Sequence, residues 1–399
     1  MKRLHYGHTI AASYIGYVTQ AVINNFAPLL FLTFRRVFGL SLEQVTLLVT
    51  VNFLVQLLVD LVSAGVVDRI GYRVCMVAAH IACAAGLIGL AVFPELFPSA
   101  YAGLLTAVIL YAIGGGLLEV LVSPIVQACP ADSKSAAMSL LHSFYCWGTV
   151  GVVALSTVLF ALIGIDNWRL VACFWALLPV ANACFFAMVP IAPIVPEGEG
   201  LSLAQLLRSR LFWVLTFLIF CAGAAEHSMV QWASAFAEGA LHVSKTVGDL
   251  AGPCLFSVLM GIARVLHARL ADRIRLERYM AGCAVLSIVS YTMAAALQNP
   301  VFNLLGCGLC GFSVGVLWPG NFSVAAERIP LGGTAMFALL ALAGDAGCSL
   351  GPTLVGFMAG LFSDNLKIGL AFAVIFPVGI LLGLWLLERG KKSGVFSQR

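Results

Sequence analysis

Gly65-Val66-Val67-Asp68-Arg69-Ile70-Gly71-Tyr72-Arg73 sets an acidic–basic pair and two glycines between two long apolar runs. A second copy of its centre, Asp272-Arg273-Ile274-Arg275-Leu276-Glu277-Arg278, stands 204 residues further on and lacks the glycine. Each copy closes the second apolar run of a group of six. Pro130 and Pro330 end the fourth and tenth runs, and Ala137-Met138 and Ala335-Met336 open the fifth and eleventh. Three matches near one offset, each at the same point of a six-run unit, mark an internal duplication. Asp68 is expected where one helix ends, with Arg69 beginning a two-residue turn, and Asp272 is expected to close the eighth run in the same way.

The rest of the chain fits a membrane. Hydrophobic residues make up 61% and charged residues 10% of 399, and the mean hydropathy is +1.01. Soluble domains carry about 25% charged residues, so lipid is the solvent this surface needs. Apolar runs bounded by polar or Gly/Pro breaks fall at 8–34, 42–67, 73–93, 99–128, 136–163, 169–192, 211–239, 247–271, 277–297, 301–325, 333–361 and 368–388. Each is long enough to cross a bilayer as a helix. The expected architecture is an all-α membrane protein of twelve transmembrane helices in two pseudo-symmetric six-helix bundles, residues 1–192 and 211–399. A linker, 193–210, carries Pro193, Pro196 and Glu197-Gly198-Glu199-Gly200.

Basic residues set the orientation. Lys2, Arg3, Arg69, Arg73, Arg273, Arg275, Lys391 and most others fall in one set of loops, against Arg35, Arg36, Arg169, Lys245 and Lys367 in the other. The first set, with both termini, is expected to be cytoplasmic, in a bacterial inner membrane. The net charge of +4 follows from this asymmetry. No basic patch stands apart from the membrane flanks, so no nucleic-acid partner is implied. The twelve cysteines lie scattered in apolar segments; Cys307-x-x-Cys310 has no second pair and reads as buried small hydrophobes. No phosphate-cradling G-x-x-x-x-G-K-[ST], metal-ligand spacing or catalytic constellation is present. No cofactor and no enzyme activity are expected.

The stretch 65–73 resembles the major facilitator signature, G-x-x-x-D-R-x-G-R-R, with tyrosine at the first closing basic position. The resemblance implies a secondary transporter whose halves rock about a midplane site. A carboxylate at a helix end can lock onto a neighbouring helix, and with the repeat this gives Asp68, Arg69, Arg73, Asp272 and Arg273 an expected gating role at the cytoplasmic side, solvated loop charges being the alternative. A finer likeness is to the fucose permease branch. Gly114-Gly115-Gly116-Leu117-Leu118-Glu119 with Pro124 is similar to its fourth helix, Ser139 to Phe144 with Gly148 to its fifth, Trp318-Pro319 with Phe322-Ser323 to its tenth, and Asn24-Asn25 to its first. That branch couples sugar to protons through the glutamate and a first-helix carboxylate; this chain has Ala27-Pro28 where that carboxylate stands.

Ionisable groups at mid-bilayer depth cost about 2.5–3.5 kcal/mol, so they point to a site. Glu119, behind three glycines that permit close helix approach, is the candidate proton carrier and a candidate solute ligand; a hydrogen-bonded tie between helices is its structural alternative. Tyr17, Gln20 and Asn24 share one helix face and suit a neutral polyol, interhelical hydrogen bonding being the alternative, with Asn25 off that stripe. At an offset of 203, Asn24 corresponds to His227, which shares a face with Gln231; Glu226 and Trp232 adjoin them. His142 and Asn321 complete the candidates. Asp60 and Arg264 each precede their Asp-Arg pair by eight residues. With Asp345 they are expected to make charge contacts, either exchanged between transport states or static within one half.

The expected function is alternating-access transport of a small polar solute, a sugar or related compound, coupled to protons. The partners are the lipid bilayer, the solute and protons, and the chain is expected to act as a monomer. An efflux pump for hydrophobic molecules, a passive facilitator and a non-transporting sensor are the alternatives.

Overall fold

The computed structural model describes residues 4–194, 200–233, 254–363 and 365–392. Outside them lie the expected end of the seventh span, the start of the eighth with Lys245, and Glu197 to Glu199 of the linker. Described residues form α1 (Tyr6–Leu29), α2 (Phe31–Phe38), α3 (Leu42–Ile70), α4 (Tyr72–Leu96), α5 (Ala100–Ala128), α6 (Lys134–Ile163), α7 (Trp168–Met188), α8 (Leu203–Arg208) and α9 (Arg210–Val230). After these come α10 (Leu255–Leu270), α11 (Leu276–Ala296), α12 (Pro300–Val314), α13 (Leu317–Arg328), α14 (Gly333–Leu361), α15 (Leu366–Ala373) and α16 (Ile375–Lys392). Ten stretches among the described residues are long and apolar enough to cross a membrane, and eleven when α1 and α2 count as one bent span. The eighth expected span contributes the 16 residues of α10.

Proline explains where spans break, and three expected single helices are each two. Span one bends by 48° between α1 and α2, because Pro28 withholds the N–H that the Asn24 carbonyl would accept and its ring crowds that carbonyl. Pro319 does the same to Gly315, between α12 and α13, and Pro377 to Ala373, between α15 and α16. The seventh span also stops being regular helix at Val230, where Gln231 caps α9 and Trp232 lies in a turn.

The loop after span two is shorter than expected. α3 runs on through Asp68 and Arg69 to Ile70, and Gly71 alone makes the turn, at φ +96°. Only glycine enters that region without steric cost, so the charges in the motif decorate the last helical turn. In the second copy α10 stops at Leu270, and Asp272 and Arg273 do lie in the connecting turn, where the Arg273 and Ile274 N–H groups donate to the Leu270 carbonyl. That turn has no glycine, and it needs more residues to reverse the chain.

The chain divides into two compact units: residues 1–130 with 144–196, and residues 131–143 with 197–399. Within the first, α5 is the central post, packed on α4, α3 and α1. Its glycine run makes this possible on three sides. A Cβ at Gly114 would stand 2.4 Å from the Ala79 carbonyl oxygen of α4, at Gly115 2.5 Å from Ile23 of α1, and at Gly116 2.9 Å from Val59 of α3. α4 in turn packs on α7. Within the second unit α9 packs chiefly on α14 and α16, where Gly347 of α14 would place a Cβ 2.1 Å from the Phe220 carbonyl oxygen. α11 and α10 pack on α12.

Candidate functional site

In the first unit the stripe predicted on α1 points at α5 and α3. Tyr17, 4% exposed, has its hydroxyl 3.0 Å from Ser123 Oγ. One turn on, Gln20 Nε2 donates to Glu119 Oε2 at 2.7 Å, and Gln20 Oε1 is buried with no partner among the described residues. Another turn on, Asn24 Oδ1 accepts from Gln56 Nε2 at 2.9 Å and Asn52 Nδ2 at 3.2 Å, while its own Nδ2 reaches the Tyr145 hydroxyl at 3.4 Å. Asn25 donates to the Ala21 carbonyl and to Thr149 Oγ1. The result is a graded polar face: a half-buried carboxyl at Glu119, then amides and hydroxyls. Burying such groups is favoured by hydrogen-bond partners, and apart from the Ala21 carbonyl the partners come from neighbouring helices.

Asn52, Gln56 and Asp60, all at most 4% exposed, form the matching face of α3. They recur every four residues, which is helical spacing; that stripe was the available signal for Asn52 and Gln56, which the sequence reading passed over. Ser123, Tyr145 and Thr149 are further additions, and no spacing relates them to α1.

In the second unit the polar groups include a buried cation. Arg264, 4% exposed, lies 3.9 Å from Glu226 Oε2. Its Nε donates to the Gly315 carbonyl at 2.7 Å and its Nη1 to the His142 carbonyl at 2.9 Å. The Gly315 carbonyl is the one that Pro319 leaves without an intrahelical donor. The buried His142 ring lies 5.9 Å from Phe322, which in turn meets Trp318 edge-on. Nearby, Ser139 Oγ and His267 Nδ1 are 2.6 Å apart.

The other candidates of this unit are spread along it. His227 is half-buried with Nδ1 unpartnered among the described residues. Gln231 is exposed, and Trp232 donates its indole N–H to the Pro352 carbonyl at 3.2 Å. Asn321 is fully buried and donates to the Leu215 carbonyl of α9. Asp345 is half-buried on α14. Arg264 pairs with Glu226, a partner that repeat arithmetic does not indicate.

At the signature, the Tyr72 hydroxyl donates to Asp68 Oδ1 at 2.5 Å. Arg73 Nη1 donates to the Phe186 and Ala187 carbonyls at 2.9 and 2.7 Å, at the C-terminal end of α7, where a cation complements the helix dipole. Arg69, Asp272 and Arg273 are exposed. In the second unit the comparable tie is Arg328 with Glu277, 2.7 Å apart.

Residues 12–352 match the Major Facilitator Superfamily. Membrane protein MosC of Rhizobium meliloti is 27% identical over 290 residues, 70% of this chain and 66% of that protein, just under two thirds of its length. Among solved structures, the transporter FucP in its outward conformation superposes with a TM-score of 0.79 at 15% identity, covering 94% of this chain and 98% of its own. The proton:xylose symporter XylE superposes with a TM-score of 0.81 at 13% identity, covering 96% and 95%.

Proposed function

The chain belongs to the Major Facilitator Superfamily, and on that premise we propose that it moves a small, neutral, polar solute, a sugar or a related polyol, together with a proton carried by Glu119. It is a multi-pass membrane transporter and not an enzyme, with lipid around it and a small molecule as its cargo. The observation that carries the finer reading is the hydrogen bond from Gln20 to Glu119, in line with Tyr17–Ser123 and the Asn24–Asn52–Gln56 cluster. A carboxyl bonded to an amide can hold or release a proton while the amide stays in place, and amides with hydroxyls are the groups that recognise a neutral polyol. The structural neighbours named above support the fold; the solute class rests on this polar face. We assign the protein to the cytoplasmic membrane as a monomer with both termini in the cytoplasm, following its basic loops.

The test is solute-driven proton movement in proteoliposomes, with neutral sugars, sugar acids and amino acids supplied in turn. A neutral sugar is expected to move protons with the native chain and to move none with Glu119→Gln, while radiolabelled solute exchange persists. Solute flux with no proton movement in the native chain would instead identify a passive facilitator, the outcome favoured by Ala27-Pro28 standing where the related branch has a carboxylate.

A further inference from the structure

The bend in span one borders a partly open cavity. Its lining includes Ile23, Asn24, Pro28, Phe31, Asn52 and Tyr111, and no lining residue is basic. Its volume is about 10 Å³, room for one water molecule or one small ion.

Two oxygen acceptors belong to residues of this lining. Asn52 is 4% exposed; its Nδ2 donates to Asn24 Oδ1 at 3.2 Å, and its Oδ1 is buried with no partner among the described residues. The amide cannot turn over without cost, because Asn24 Oδ1 also accepts from Gln56 and would then face oxygen. The second acceptor is the Asn24 main-chain carbonyl. Pro28, four residues on, has no N–H to give it.

The second unit holds a worked counterpart. There Pro319 leaves the Gly315 carbonyl without its intrahelical donor, and that oxygen accepts from a cation, Arg264 Nε, at 2.7 Å. The first unit has the same proline-freed carbonyl, a neighbouring spare amide oxygen and a cavity of ionic size, but no cationic side chain in the lining. Interrupted membrane helices offer such carbonyls to small cations in other transporters.

We propose that this cavity binds a single monovalent cation of sodium size through Asn52 Oδ1 and the Asn24 carbonyl. Binding to the purified protein needs neither solute nor proton movement, so this site and the Glu119 reading stand or fall separately.

The test is the melting temperature of the purified full-length protein in detergent micelles, with sodium chloride titrated against choline chloride at constant ionic strength. Sodium is expected to raise it saturably, by about 2 °C or more. Asn52→Asp adds a charge to the ligand set and is expected to lower the half-saturating sodium concentration about tenfold. Asn52→Leu is expected to abolish the shift. Should Asn52→Leu fail to fold, Pro28→Ala, which returns an N–H to the Asn24 carbonyl, is expected to weaken it. Equal melting temperatures of the native protein in sodium and choline would overturn the proposal and leave a water in the cavity. A sodium shift retained undiminished in Asn52→Leu or Pro28→Ala would also overturn it, by placing the ion elsewhere.

Discussion

The two units keep one architecture and differ at the positions that matter chemically. At corresponding places the first has Asn24 and Asp60 and the second His227 and Arg264. The first unit ties its helices with amide-to-amide hydrogen bonds around Asn24. The second ties its helices with a guanidinium shared between a carboxylate and two main-chain carbonyls. Duplication preserved the Asp-Arg pair after each second span, while the membrane interior diverged. Each half could therefore acquire its own electrostatic task.

Removing the cation should show the contrast most strongly. Arg264→Ala takes a buried guanidinium away from half-buried Glu226 and from two main-chain carbonyls and is expected to cost about 3 kcal/mol, read as a large fall in melting temperature in micelles. Adding Glu226→Gln should recover part of that loss, and a double variant no more stable than Arg264→Ala alone would deny the pair its energetic role. In the first unit Gln56→Leu removes one of two donors to Asn24. The expected loss is about 1 kcal/mol, the scale of interhelical hydrogen bonds in membranes. A loss as large as that of Arg264→Ala would erase the distinction between the units. The smallest effect is expected at His227→Asn, which installs the first unit's residue in the second. The ring nitrogen Nδ1 has no partner to lose among the described residues, so the change should stay within about 0.5 kcal/mol.

Much of this architecture was legible because its signals are local. Apolar runs and the Asp-Arg repeat are local in sequence, and the stripe Tyr17, Gln20, Asn24 needed only helical periodicity. The stripe Asn52, Gln56, Asp60 has the same helical periodicity, yet only its charged member, Asp60, stood out. Asp68 was misplaced for a related reason: charges were read as loop, whereas the backbone turns only where Gly71 can take a positive φ. The Glu226–Arg264 pair was out of reach. Its partners lie on different spans, and no spacing in one dimension encodes which faces meet in three. The broken spans stood in between, since each proline was visible but the carbonyl it released acquires meaning only once a neighbouring helix supplies the donor.

The gap between α12 and α13 is one such release, and it changes what a helix break is for. A guanidinium brought into a membrane protein forfeits the water that surrounded it, and side chains alone seldom replace that shell. The Gly315 and His142 oxygens supply part of it from the main chain. Two short pieces of backbone therefore serve as fixed solvent molecules for Arg264. Unlike water they cannot leave, so the charge stays hydrated by the fold itself even when the surroundings are dry.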